Sequence, residues 1–363
     1  MATINDLSTT TLIKIFSYLD IQSLQRCRRV CKRWQIANTF TWEPMTRLIY
    51  CIIPPDEKTK LSFIKNGLEV ESSNILCLQS ILQMFNGTLR QFYIRASYPS
   101  SIDLPEMPES LCQLLNRIEN LTCVGVDYDE NSELIRLIKC LPARNIRHLL
   151  YDFNEHTIDI NEAVRGFASL IDGAVNLISL HMVNPPVLTL HVINKMCDLK
   201  ALYIIGGVLH PSFDIIKMTN LQILSIHACH TIKDDYIIEM VKNCKKLHTV
   251  EISHCYEVKY NGTIAITSLP NLRILVSSYM SNHILNKLYN IAEIYCDLEF
   301  SLFDSYTCIL HFLFRSRNLK KFNFQNKDCN DLTKQLVSKL NGRAVLSNHR
   351  LFFYAHWSRT FYK

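Results

Sequence analysis

The sequence predicts an α/β protein: a short helical module at the N-terminus, then a curved solenoid with a parallel sheet on its concave face. Three observations carry this expectation. Leu7 to Trp34 places its apolar residues at helical spacing. From about residue 70 onward a six-residue pattern, L-x-x-L-x-L, recurs in order along the chain. Between its occurrences lie amphipathic stretches of helical period, such as Asn161 to Ile171 and Asp234 to Val241. The expected boundaries are 1–50 for the helical module, 51–70 for a junction, 71–342 for the solenoid and 343–363 for a C-terminal cap or tail.

The first helix follows from Leu12, Ile15, Phe16 and Leu19, which fall at i, i+3, i+4 and i+7. Ser8 or Thr9 can cap its free N–H groups, and Asp20 can end it and cap the next. A second stripe at Leu24, Cys27, Cys31 and Trp34, with Val30 beside it, predicts a second helix. Arg26, Arg28, Arg29, Lys32 and Arg33 point mostly the other way. Two such short helices cannot bury this much apolar surface on each other, so they need the rest of the chain or another protein. Met45 to Ile53 continues as helix or strand, and Pro54-Pro55-Asp56 is the clearest breaker.

The repeated units begin at Leu89, Leu121, Ile146, Leu177, Leu199, Leu221, Leu247, Leu272, Ile291 and Leu319. Their steps run from about 19 to about 32 residues, the range of stacked-repeat architectures. Positions one, four and six of each unit should turn into a continuous core, while three and five face outward. The outward set includes Tyr93, His181, Tyr203, Ser225, Thr249, Glu251, Glu293 and Tyr295, a mixed surface with aromatic points suited to contacts with a target protein. The aromatic tail from Arg350 to Trp357 is expected to cover the last repeat.

Composition narrows the chemistry. Hydrophobic residues make up 48% and charged residues 20%, as in a folded globular chain. The 14 cysteines are scattered without tight spacing, and MATINDL lacks a basic segment followed by an apolar run, so reduced thiols and no secretory leader are expected. A net charge of +6 permits acidic partners without demanding nucleic acid, and the basic run in the second helix reads as a solvated face. No apolar run reaches membrane length. Cys229-His230, Cys244 and His254-Cys255 invite comparison with a zinc site, yet their places in the repeat predict buried thiols and hydrogen-bonded histidines, with no metal or cofactor. No nucleotide, hydrolase or metalloprotease motif occurs, and a cysteine nucleophile would need an exposed, electropositive setting that these apolar stripes do not offer. The chain reads as non-catalytic.

Leu7, Leu12, Ile15, Phe16, Tyr18, Leu19, Asp20, Leu24, Val30, Cys31, Lys32 and Trp34, in this order and spacing, resemble an F-box. Leu221 to Cys255 resembles the cysteine-containing subtype of the leucine-rich repeat, found mainly in F-box proteins, with Cys229, Ile232, Asp234, Cys244, Leu247, Val250, Ile252 and Cys255 in the matching places. The resemblance implies a substrate receptor of an SCF-type ubiquitin ligase, cytoplasmic or nuclear. Leu7, Leu12, Ile15, Phe16, Leu19, Leu24, Val30, Cys31 and Trp34 would bind a Skp-type adaptor, and through it a cullin; the repeats would hold a protein substrate. Ser8, Thr9 and Thr10 stand where F-boxes commonly carry Pro and an acid. That leaves open a second reading, a repeat scaffold or inhibitor that assembles no ligase.

Overall fold

The computed structural model describes residues 4–325 apart from 20, 43–44, 54–56, 65, 86, 97–107, 128–131, 154–159, 188–189, 194, 210–216, 298–310, 313–314 and 317. The expected cap at 343–363 lies outside the described residues. The chain divides into two compact units that meet in sequence at Asn176 and Leu177.

The first unit opens with three helices, not two: α1 (Thr9–Phe16), α2 (Ile21–Arg28) and α3 (Lys32–Trp42). The second apolar stripe is broken at residues 29–31, where the N–H groups of Arg29 and Val30 turn back to the carbonyls of Arg26 and Cys27. Helix α3 supplies the surface that two helices lack. Its Trp34 ring meets Phe16 edge-on at 5.2 Å, and the buried Asn38 amide donates to the Leu24 carbonyl at 2.8 Å.

Of the two states open for Met45 to Ile53, the chain adopts the strand: β1 (Arg47–Ile52) straddles the expected end of the helical module, and β2 (Lys60–Ile64) and β3 (Gly67–Glu71) lie where a junction was expected. β1 pairs in parallel with β3 on one side and with β4 (Gln91–Ala96) on the other, while β2 pairs antiparallel with β3. After α4 (Ile75–Phe85) and β4 come α5 (Glu109–Asn116), β5 (Cys123–Asp127), α6 (Ser132–Lys139), β6 (His148–Asp152) and α7 (Ile160–Gly173). β4, β5 and β6 pair in parallel and in order.

The second unit repeats the theme: β7 (Ser179–Val183), α8 (Leu190–Ile193), β8 (Ala201–Ile205), β9 (Ile223–His227), α9 (Asp234–Asn243), β10 (Thr249–Ser253), α10 (Tyr260–Ile266), β11 (Ile274–Ser277), α11 (Asn282–Lys287), β12 (Glu293–Asp297) and β13 (Lys321–Gln325). All seven strands pair in parallel with their neighbours in sequence. Strand alternating with helical return is the α/β solenoid arrangement, and each of the ten six-residue units begins one strand of it. Leu221, Leu224 and Ile226, at positions one, four and six, are fully buried, as are Leu247 and Val250 in the next repeat. An eleventh unit escapes the leucine pattern because Met45, Leu48 and Tyr50 fill its inward positions.

Three local devices hold one repeat to the next. At successive strand starts one carbonyl accepts two successive N–H groups: Lys200 and Ala201 both donate to Ile178, Gln222 and Ile223 to Lys200, His248 and Thr249 to Gln222. An asparagine before the strand donates its amide to a carbonyl of the preceding repeat, as Asn145 does to Glu119 (3.0 Å) and Asn176 to Arg144 (2.8 Å). The residue after the strand sits in the left-handed region at Asn184, Gly206, Ala228 and His254, and the N–H groups of Asn184, Gly206 and Ala228 donate to the last carbonyl of the following strand. Glycine suits that conformation, whereas alanine pays roughly 1–2 kcal/mol for it. Ala228→Gly should therefore raise stability by about 1 kcal/mol, read as a higher urea midpoint.

Asp234 links two return helices. Its carboxylate accepts from the backbone N–H of Lys259 (2.7 Å) and of Asn261 (3.2 Å), capping α10 from the neighbouring repeat. Gly262 makes room: a Cβ there would stand 2.6 Å from Asp234 Oδ1. Asp234→Ala should cost about 1–2 kcal/mol in urea unfolding, as loss of a helix cap does, with Asp234→Asn recovering part of it.

Candidate functional site

The helical module divides its apolar residues into two sets. Leu12, Phe16 and Leu24 are its own core, with at most 1% of their surface exposed. Leu7, Leu19 and Trp34 are half-buried. Ile15, Tyr18, Val30 and Ile36 remain exposed, at 36%, 79%, 59% and 52%, and Cys31 is exposed with them. The motif thus mixes residues that build the module with residues it presents, a division that spacing alone does not reveal. Ile36 belongs to the presented set and was missed because the third helix was not foreseen. Ser8 explains how α1 begins without the usual proline: its hydroxyl accepts from the Thr11 N–H at 3.1 Å. The indole N–H of Trp34 is buried and has no hydrogen-bond acceptor among the described residues.

The outward strand positions differ from the expected open surface. Tyr93, His181, Tyr203, Ser225, Thr249, Glu251 and Tyr295 are buried, and Glu293 is half-buried. In-register neighbours contribute, because parallel strands lie only about 4.8 Å apart. The Tyr93 ring covers Gly125, where a Cβ would come within 2.0 Å of it. His181 and Tyr203 rings meet at 5.7 Å, and the Tyr295 hydroxyl donates to Glu293 Oε2 at 2.9 Å. Glu251, 2% exposed, accepts from the hydroxyls of Ser225 (2.7 Å) and Ser253 (3.2 Å).

Exposed rings occur beyond the strand ends. Tyr256 is 47% exposed and stacks on His230 with ring centroids 5.5 Å apart and planes 8° from parallel. Tyr260 and His283 meet at 6.0 Å, and His227 and His254 at 4.9 Å. The signal was present in the two equivalent segments, Ala228 to His230 and His254 to Tyr256, whose register puts His230 and Tyr256 at the same repeat position. Burial holds His227 near a pKa of about 4, so it is neutral at pH 7, with His254 adding to the effect.

The thiols of this region are structural. Cys229 donates to the Gly206 carbonyl at 2.8 Å, Cys255 to the Ile226 carbonyl at 3.7 Å and Cys244 to the Met218 carbonyl at 3.6 Å. Burial pushes Cys244 and Cys255 up to about 11 and Cys229 further. Such thiols are poor nucleophiles at neutral pH. Among the described residues no three His, Cys, Asp or Glu side chains are placed to hold a metal ion, and no helix is long and apolar enough to cross a membrane.

Residues 9–43 match the F-box-like family model. The matched segment contains all three N-terminal helices. No curated protein matches the chain. Among solved structures it is similar to an internalin (inlF) from Listeria monocytogenes str. 4b F2365, at 11% identity and a TM-score of 0.43 over 96% of this chain and 100% of that one. It is also similar to a chain in an octameric complex of Latrophilin 3, Unc5D and FLRT2 (LRR), at 13% identity and a TM-score of 0.36 over 72% and 84% of the two chains. The chain thus joins an F-box-like segment to parallel strands that repeat an L-x-x-L-x-L unit.

Glu251 gives the repeat face a pH signature. Burial raises its carboxyl above the usual range, against the opposing pull of the two serine hydroxyls. A raised folded-state pKa means that the native state binds its proton more tightly than the unfolded chain, so this contribution is present at low pH and is lost as pH rises through the folded value. Glu251→Gln should shift the urea midpoint upward at pH 7, and the gain should shrink at pH 4. An equal gain at both pH values would show that the carboxyl charge is not the cause.

Proposed function

We propose that this chain is a substrate-recognition subunit of an SCF-type ubiquitin ligase. The observation that supports this best is the apolar surface left over once the helical module has buried its core: Ile15, Tyr18, Val30 and Ile36, on helices matched by an F-box-like model. A Skp-type adaptor would cover that surface. The adaptor would tether the chain to a cullin. The repeats would hold the target, with Tyr256, Tyr260 and His230 as its first contacts in place of the buried strand residues. The chain contributes position rather than covalent chemistry: a target lysine held near a separate transferase gains effective concentration.

The test is reconstitution with a purified Skp-type adaptor. The variant V30D/I36D should lose at least about 100-fold in affinity, as loss of central anchors does, with unchanged circular dichroism and melting temperature. Phe16→Ala should act differently: it removes a core ring, costs about 3–5 kcal/mol and melts the module itself. Retention of full adaptor affinity by V30D/I36D would refute the docking surface. An adaptor that binds while no cullin follows it would favour the scaffold reading.

A further inference from the structure

Within the first unit, a cavity of about 420 Å³ opens between α2 of the helical module and the first repeats. It is lined by Arg28, Gln83, Gly87, Leu114, Arg117 and Ile118. Arg28 is the last residue of α2, and Arg117 is the C-cap of α5. Gly87, at φ +83°, leaves open space where a Cβ would stand. Neither guanidinium makes an ion pair or hydrogen bond among the described residues. The C-terminal ends of α2, α4 and α5 lie here, and their partial negative charges, about half a unit each, offset part of the two guanidinium charges. The surroundings add more cations: residues 1–42 carry Lys14, Arg26, Arg28, Arg29, Lys32 and Arg33 against Asp6 and Asp20.

We propose that this cavity receives a carboxylate-rich segment of the protein that docks on the helical module. The inference rests on the docking reading above. Two features favour an inserted segment over a free anion. The cavity begins on α2, two residues before the exposed Val30, so a partner covering Val30 reaches its rim. Both arginines are exposed, which suits side chains arriving on a docked surface better than a sequestered small molecule. Arginine forks match carboxylates bidentately, and a docked segment would exclude water from the pair it forms.

The experiment measures binding of the full chain to a purified Skp-type adaptor at 50 mM and 300 mM salt, for the wild type, R28Q/R117Q and V30D/I36D. The arginine pair is expected to weaken binding about 10-fold at 50 mM salt and less at 300 mM, because screening already removes part of its contribution. V30D/I36D is expected to abolish binding at both. Unchanged affinity and salt dependence in R28Q/R117Q, with the wild type binding normally, overturns this inference and leaves the docking surface standing. No binding by the wild type overturns both. A separate arm adds inorganic phosphate alone to the chain: an arginine-dependent rise in melting temperature at about 1 mM would assign the cavity to a free anion and overturn the segment.

Discussion

The repeats depend on one recurring backbone constraint: a single carbonyl at a strand start receives two consecutive N–H groups from the next strand. This fixes parallel direction and register together, because a one-residue slip would turn Leu224, Ile226, Val250 and Ile252 away from the core. With register fixed, every inward position of a unit stacks on its equivalent, and the left-handed residue after each strand redirects the chain toward its return segment. Side chains past that turn, such as Tyr256 and His230, are carried to an exposed edge by the same geometry that buries their neighbours.

The apolar periodicity was the most legible part of the chain. Inward positions from Leu89 to Phe322 read directly, because burial in a stacked core demands one residue class at fixed spacing. β1 was legible only as helix or strand, because Met45 and Tyr50 fill leucine positions; the Tyr50 hydroxyl satisfies itself by donating to the Asn74 carbonyl at 2.7 Å. The third N-terminal helix was hidden because its apolar residues merge with the preceding stripe, and only the turn at residues 29–31 separates them. The exposed edge could not be read from an alternation of inward and outward positions. That pattern assigns faces, while exposure also depends on how large each neighbour is.

The candidate site shows the same division between residue type and environment. Cysteine and histidine close in sequence suggested chemistry, but their thiols donate to carbonyls of the preceding repeat and burial keeps them protonated. In the helical module the F-box-like motif names core and surface residues alike. Phe16 lies beneath Trp34, whereas Val30 and Ile36 face solvent. Spacing identifies the module; packing decides which of its residues another molecule can touch.

The contact of Tyr93 with Gly125 sets the order in which this surface can diversify. A side chain at 125 has no room until 93 has become small, while shrinking the buried Tyr93 first opens a cavity beside Gly125. Sequence drift here has a permitted direction, and variants carrying the second change without the first should be rare among functional descendants.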